Sequence, residues 1–353
     1  MSTPLLIYAP NVRAGGGLVL LQSIVAAWTG EPRVTAVLDE RAKANISVPE
    51  EIHVEWVQPG LLNRLRAEWR LGAALRSGAR VLCFHGLPPF FLSEASGSKL
   101  TVFLQNRLLV ESGTLRDYPI LTRLRLEVER WLLRRRMHSV GEIIVQGPSM
   151  KRALAVLVGA VAGPRIQVRP LVPNDISASE SARTFGRAFD FIYPADGEPH
   201  KNHARLVEAW ELLKEGGCRP SLALTLGSKD QELWARLKVR IENAGLGIVN
   251  LGTLSRRQLV EVYGETGALI YPSTTESFGL PLAEARAIGL PIIAGEIDYV
   301  RDVCNPVQTF DPSSALSIAR AINRYLRRGD CLREFETPEG FWKALSRDVE
   351  GVS

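Results

Sequence analysis

Two glutamates, Glu276 and Glu284, close the ends of "ESFGLPLAE", and a lysine, Lys201, stands well upstream in "GEPHKNHARLVEAW". A carboxylate repels phosphate but accepts hydrogen bonds from hydroxyl groups; an ammonium does the reverse. The turn "TTESFG" follows the apolar run "ALIYPS" (268–273) and leads into "LPLAEARAIG", where Pro281 suits a first helical turn and Gly289 a helix stop. A helix start at the carboxyl end of a strand exposes N–H groups that favour phosphate, and Gly279 lets the backbone approach closely. The pattern suits a ligand with sugar, diphosphate and ribose in series. Glu276 is placed to face a sugar ring and Glu284, about one turn into the helix, a ribose diol. The amides of Ser277, Phe278, Gly279 and Leu280 are placed for the diphosphate between them. Such a ligand is a nucleotide sugar.

These residues need a scaffold, and the chain supplies a regular one. Apolar runs of strand length occur at 5–10, 34–39, 52–57, 80–86, 101–106 and 142–147, and again at 190–195, 222–228, 248–253, 268–273 and 291–295. Their near-continuous apolarity suits strands buried on both faces of a parallel sheet. Helical stretches alternate with them, which implies doubly wound α/β sheets. The segment 169–188 is rich in Pro, Ser and Asn and lacks apolar period, so a domain boundary is placed near residue 172. The expected units are 1–172 and 173–325, each Rossmann-like, and a helical tail, 326–353.

A length of 353 residues favours two cores over one. With 46% hydrophobic and 23% charged residues the chain reads as an ordinary folded protein, not a disordered one. The net charge of +5 fits an anionic ligand or an anionic membrane surface and does not call for nucleic acid. Cys83, Cys218, Cys304 and Cys331 lie far apart and read as reduced thiols of a cytoplasmic protein. No apolar run is long enough to span a bilayer, and "MSTPLLIYAPNV" reads as a first strand rather than a signal peptide.

Three further features bear on chemistry. The segment 9–28, "APNVRAGGGLVLLQSIVAAW", is a strand, a glycine loop and a helix, so Gly15, Gly16 and Gly17 are placed to turn N–H groups toward a phosphate or an acceptor. It is not G-x-G-x-x-G, although Asp39 ends the next strand and leaves a dinucleotide reading open; no G-x-x-x-x-G-K-[ST] occurs. His85, in "CFHGLPP", ends another strand and is a candidate cleft residue. The helical stretches 61–80 and 121–138 are strongly basic. In the second, Leu124, Val128, Trp131 and Leu132 share a face, with Arg123, Arg130, Arg134 and Arg135 as a rim. Such a face suits anionic lipid, but the helix's own sheet is the favoured partner, because every doubly wound domain needs such helices.

The stretch "ESFGLPLAE" resembles the E-x7-E motif of retaining glycosyltransferases of the GT-B fold, family 4. The likeness continues through "EARAIGLPIIAGEIDYVRDV" and runs from about Asp190 to Asp311, with a weaker likeness in the first half. It implies two Rossmann-like domains facing across a cleft. The second domain would bind the nucleotide sugar, the first the acceptor, and the tail would pack back on the first. By position in "YPADGEPHKNHARLVEAWELL", Lys201 would reach the diphosphate, Asn202 would open the following helix as a donor-binding residue, and His200 would stand where many relatives carry arginine and add a second donor to the diphosphate. This chain has Asp196 where others place a second arginine. In "TVFLQNRLL", Gln105 takes the place of a histidine near the sugar, followed by Asn106 and Arg107; an amide still binds a sugar hydroxyl.

The resemblance implies transfer of a hexosyl group from a nucleoside diphosphate to a hydroxyl of a glycan or lipid-linked glycan, with retention at the anomeric carbon. Glu276 and Lys201 would be the catalytic pair. No D-x-D occurs and His and Cys are scattered, so neither a metal nor another cofactor is expected beyond the donor. The location implied is cytoplasmic, at most peripheral on the membrane's inner face. An epimerase or hydrolase of the same fold, a non-catalytic sugar-binding subunit and, more distantly, a dehydrogenase are the alternatives.

Overall fold

The computed structural model describes residues 3–84, 86–89, 99–111, 115–159, 163–173 and 187–326. The first half supplies strands β1 (Leu5–Ala9), β2 (Val34–Asp39), β3 (His53–Val57), β4 (Arg80–Cys83), β5 (Leu100–Phe103), β6 (Glu142–Val145) and β7 (Arg165–Val168). They form one parallel sheet in the order β3-β2-β1-β4-β5-β6-β7. Helices α1 (Gly15–Ala26), α2 (Leu61–Arg76), α3 (Ile120–Arg136) and α4 (Pro148–Val158) connect them. Leu20, Leu21 and Val25 of α1 enter one core, whereas Leu71 of α2, Leu126 and Leu133 of α3 and Leu154 of α4 share the core on the other side.

The second half repeats the plan with β8 (Phe189–Tyr193), β9 (Leu222–Leu224), β10 (Ile248–Asn250), β11 (Thr266–Tyr271), β12 (Ile292–Gly295) and β13 (Gln308–Phe310). Their order is β10-β9-β8-β11-β12-β13, again parallel. The helices are α5 (His203–Glu215), α6 (Gln231–Ala244), α7 (Arg256–Gly264), α8 (Leu280–Ala287), α9 (Asp298–Val303) and α10 (Ala315–Tyr325). All six residues of β11 are buried, as a central strand with two covered faces requires. The two strands that the apolar runs did not announce, β7 ("RIQV") and β13 ("QTF"), are edge strands with no fully apolar run. The first sheet ends at Val168 and the second begins at Phe189; most of the seam between them, 174–186, and the tail from 327 lie outside the described residues.

Strand order reverses beside β1 in the first sheet and beside β8 in the second. At such switch points the loops from the carboxyl ends diverge and leave a crevice. The loop after β1 leads into α1 at Gly15, the loop after β8 carries Lys201, and the loop after β11 carries Glu276. Topology thus sends three segments far apart in sequence to one place.

The domains also meet directly. Helix α4 has no side-chain cap of its own, and its N-cap position is Gly147. Asp302 of α9 caps it from the other domain: its Oδ2 accepts from the Ser149 amide at 2.7 Å. A Cβ at Gly147 would sit 2.8 Å from that oxygen, so glycine is what lets the carboxylate in. Arg152 and Asp298 pair beside it at 2.9 Å, both largely exposed. Asp302→Ala is expected to lower stability by about 1 kcal/mol, the usual cost of a lost cap. Arg152→Ala should cost little, because exposed pairs contribute at most about 1 kcal/mol and commonly much less. Parallel urea melts check both.

Candidate active site at the inter-domain cleft

Two adjoining cavities of about 440 and 490 Å³ occupy the crevice and share Gly15, Gly17, Gln105, Asp196, Glu276 and Ser277 as walls. The inner one adds Gly16, Lys201, Tyr271 and the start of α8 from Phe278 to Pro281. The outer one adds Arg13, Arg107, His200 and Lys229.

At the centre Lys201 Nζ donates to Glu276 Oε1 at 2.5 Å. Ser273 Oγ and Tyr271 OH donate to the same oxygen at 2.8 and 3.1 Å. Both partners are well buried, with side chains 15% and 12% exposed. Burial pushes the Glu276 carboxyl up, but Lys201, His200 and the hydrogen bonds outweigh it and hold the group below the usual carboxylate range. Glu276 is therefore ionised at neutral pH. Among the described residues no hydrogen bond reaches its Oε2, which leaves that oxygen for a ligand hydroxyl.

Gly15, Gly16 and Gly17, expected in a loop, form the first turn of α1, and the helix start meets the other domain across the cleft. A Cβ at Gly16 would sit 3.0 Å from Leu280 Cδ1, and one at Gly17 would sit 3.1 Å from Gln105 Oε1. Gln105 lines both cavities, and its Nε2 is buried without a hydrogen-bond partner among the described residues. Gly279 has φ +81°, and a Cβ there would lie 2.9 Å from Leu282 Cδ1. It turns the chain into α8 so that Ser277, Phe278 and Leu280 line the inner cavity.

His200 Nδ1 and the Tyr118 hydroxyl share a hydrogen bond of 2.7 Å. Burial raises the Tyr118 phenol, so the hydroxyl keeps its proton. Burial also lowers the imidazole below its ordinary value, so it is neutral at pH 7. It lines the outer cavity without a fixed positive charge.

Other expected site residues fall elsewhere. Glu284 is buried but does not line either cavity. Its Oε1 accepts from Arg256 at 2.6 Å and its Oε2 from the Tyr263 hydroxyl at 2.9 Å, because the fifth residue of α8 faces α7. Asn202 adopts φ 64° and donates to the carbonyls of Pro312 (2.7 Å) and Pro272 (3.2 Å). It ties the Lys201 loop to its neighbours instead of touching the cleft. Arg107 does line the outer cavity, but as a strut: it donates to Glu111 (3.1 Å), Ser149 Oγ (3.0 Å) and the Glu276 carbonyl (3.4 Å). His85 lies outside the described residues. Asp39, on which a dinucleotide reading depended, is 1% exposed and held by Arg41 at 2.6 Å.

Lys229, which the sequence reading missed, enters at the carboxyl end of β9 and pairs with Asp196 at 2.9 Å. Burial pushes the Asp196 carboxyl up, but Lys201 and Lys229 together hold it below its ordinary value. The acidic residue standing in place of an arginine is thus neutralised from a neighbouring loop. Only strand order brings Lys229 here; nothing in "GSKDQEL" marks it.

Behind the site, His203 is 3% exposed, and neither ring nitrogen has a hydrogen-bond partner among the described residues. Burial pushes its imidazole down from 6.5 to about 4. Between those values the unfolded chain takes up a proton that the folded chain does not. Stability contributed by this residue is therefore full above pH 6.5 and falls as pH drops toward 4, by on the order of 2–3 kcal/mol. His203→Phe is expected to flatten this part of the acid slope, as read by urea melts across that window.

Among the described residues, no group of three or more His, Cys, Asp or Glu is arranged to hold a metal ion, and no helix is long and apolar enough to cross a membrane.

Comparison with known proteins places the C-terminal half. The family described as glycosyl transferases group 1 matches residues 177–337. The chain is similar to O-antigen chain mannosyltransferase B of Escherichia coli, 31% identical over 157 residues, which is 43% of this chain and 40% of that protein. It is also similar to the serotype-specific mannosyltransferase WbdA of the same organism, 30% identical over 146 residues, 40% of this chain and 18% of that protein. The matches thus span less than half the length of these relatives. Among solved structures, sucrose-phosphate synthase from Thermosynechococcus elongatus matches with a TM-score of 0.68 at 17% identity, covering 92% of this chain and 90% of that one. HepE from Anabaena, in complex with UDP and glucose, matches with a TM-score of 0.61 at 15% identity, covering 91% and 89%. The fold is GT-B: two parallel-sheet Rossmann-like domains across a cleft.

Proposed function

We propose that this chain is a retaining glycosyltransferase of the family 4, E-x7-E type, which moves a hexosyl group from a nucleoside-diphosphate sugar to a hydroxyl of a glycan or lipid-linked glycan. The observation that carries the reading is the meeting of Lys201, Glu276 and the glycine-rich start of α1 around one cavity. The mannosyltransferase relatives make a mannosyl donor the first to test, and the UDP complex of HepE makes UDP a base to include.

In the reaction, the bond from the anomeric carbon to the β-phosphate oxygen breaks as the acceptor oxygen bonds the same carbon on the same face. The acceptor proton passes to the departing phosphate oxygen. Negative charge grows on the diphosphate during this step. Lys201 exchanges part of its contact with Glu276 for that charge, and the amides from Phe278 to Leu280 and the imidazole of His200 add donors. A single preorganised donor of this kind contributes about 2.7–4 kcal/mol to the transition state. Glu276, through Oε2, holds a sugar hydroxyl and does not attack. Gln105 offers its amide to the sugar or acceptor. No protein-held metal enters this scheme, because the lysine and amides meet the developing charge. Glu284 reaches the ribose only if it shares its carboxylate with Arg256 and Tyr263.

The test is a thermal-shift screen against GDP-, UDP-, dTDP- and CMP-sugars, followed by product analysis with and without acceptor. A true donor at a hundred times its dissociation constant is expected to stabilise the fold by about 2.7 kcal/mol. Sugar released or converted with donor alone, at the rate seen with acceptor, would replace the transferase reading by a hydrolase or epimerase.

A further inference from the structure

Helix α3 carries two apolar stripes, and only one is used by the fold. Leu126 and Leu133 enter the core of the first domain together with the stem of Arg130. At 100° per residue the opposite side collects Ile120, Leu121, Leu124, Val128 and Trp131, and these five are 56–82% exposed. The stripe expected to pack on the sheet in preference to lipid therefore faces outward. Arg130, expected at its rim, is buried and donates to the carbonyls of Leu108 and Glu111 at 2.8 Å each.

Helix α2 packs on the same side of the sheet and repeats the pattern. Leu71 and Leu75 are buried, while Leu62 and Trp69, opposite them, are 72% and 68% exposed. Together the two helices hold ten arginines against three glutamates, a net charge of +7 in a chain whose total is +5. The guanidinium of Arg135 lies over the Trp131 ring, 5.8 Å from its centroid.

We propose that this face of α2 and α3 docks on an anionic lipid surface. Exposed tryptophan and leucine among arginines match an interface with acyl chains beneath anionic headgroups. A second copy of the chain would set +7 against +7, and a nucleic acid would leave the apolar stripe in water. Placement supports the same occupant. Ile120 and Leu121, the most exposed pair of the stripe, follow Tyr118, whose hydroxyl meets His200 at the cleft. Arg130 holds the 107–109 turn, whose Arg107 lines the outer cavity. Docking by this face sets the cleft beside the headgroups, where a lipid-linked acceptor would enter; the inference rests on the acceptor reading above.

Flotation of the purified full chain with phosphatidylcholine vesicles, with and without phosphatidylglycerol, tests it. The chain is expected to float with anionic vesicles, not with neutral ones, and to release as salt rises. Arg134→Ala/Arg135→Ala should lower partitioning about 30-fold, since each arginine near such a surface counts for about a fivefold factor. Leu124→Glu/Trp131→Glu should abolish flotation. Failure to float with anionic vesicles, equal flotation with neutral ones, or a dimer that the Leu124→Glu/Trp131→Glu protein dissociates would each overturn the proposal. Nucleotide-sugar binding, measured on the same preparations without vesicles, reports the donor reading separately and also shows that the variants are folded.

Discussion

A Lys201→Ala protein is expected to turn over its donor about 10²–10³-fold more slowly, the loss that accompanies removal of one donor aimed at a developing oxyanion. The lysine is held for this task. Its ammonium is anchored at 2.5 Å on Glu276 in the wall of the inner cavity, and its loop is tied down by Asn202 and by the Tyr193 hydroxyl on the Lys201 carbonyl. His200, neutral and hydrogen-bonded to Tyr118, cannot replace a full positive charge, and Lys229 is committed to Asp196. Lys201→Arg should rescue poorly, because a planar fork does not occupy the space of a compact ammonium. Steady-state kinetics on the donor that the screen identifies measure this. A loss under tenfold, with donor KM unchanged, would remove Lys201 from the chemistry.

Glu276→Ala should cost more in stability than Lys201→Ala, by the following asymmetry. Without the lysine, the carboxylate keeps the hydroxyls of Ser273 and Tyr271. Without the carboxylate, the ammonium is left 15% exposed with no other carboxylate in hydrogen-bond reach among the described residues. Removing one partner of a buried pair costs about 3–5 kcal/mol when the other stays charged. Activity should fall by about 10²-fold or more as well, because the sugar loses the group that orients it. The pH dependence carries a matching sign. The folded carboxyl lies below its ordinary 4.5, so its stabilisation is present above 4.5 and disappears as pH falls through the lower folded value. Glu276→Gln should lack that acid-sensitive portion. Urea melts in which Lys201→Ala is the less stable of the two alanine variants would contradict the described geometry.

Much of the scaffold was legible because buried parallel strands need apolar runs, and runs such as "VTAVLD" and "ALIYPS" have no other explanation at that length. What stayed hidden had a physical reason in each case. Edge strands β7 and β13 cover little and so carry polar residues. Helix α3 shows two apolar stripes, and periodicity gives their spacing but not which one meets the sheet; that depends on Arg130 being satisfied inside by two carbonyls. In the site, Lys201 and Glu276 were recognisable from local motifs. Their mutual pairing was not, because it depends on the order β8-β11. Asn202 looked like a ligand residue and is a backbone tie, since its left-handed conformation turns the amide toward Pro272 and Pro312. Lys229 has no motif at all; only the neighbouring position of β9 brings it to Asp196.

The most direct measurement is a crystal structure of the chain with an unreactive nucleotide-sugar analogue. The diphosphate is expected within hydrogen-bond distance of Lys201 Nζ and of the amides at the start of α8, with a sugar hydroxyl on Glu276 Oε2 and the Gly15–Gly17 turn of α1 against them. A nucleotide seated elsewhere, with the Lys201–Glu276 pair intact and untouched, would contradict this arrangement.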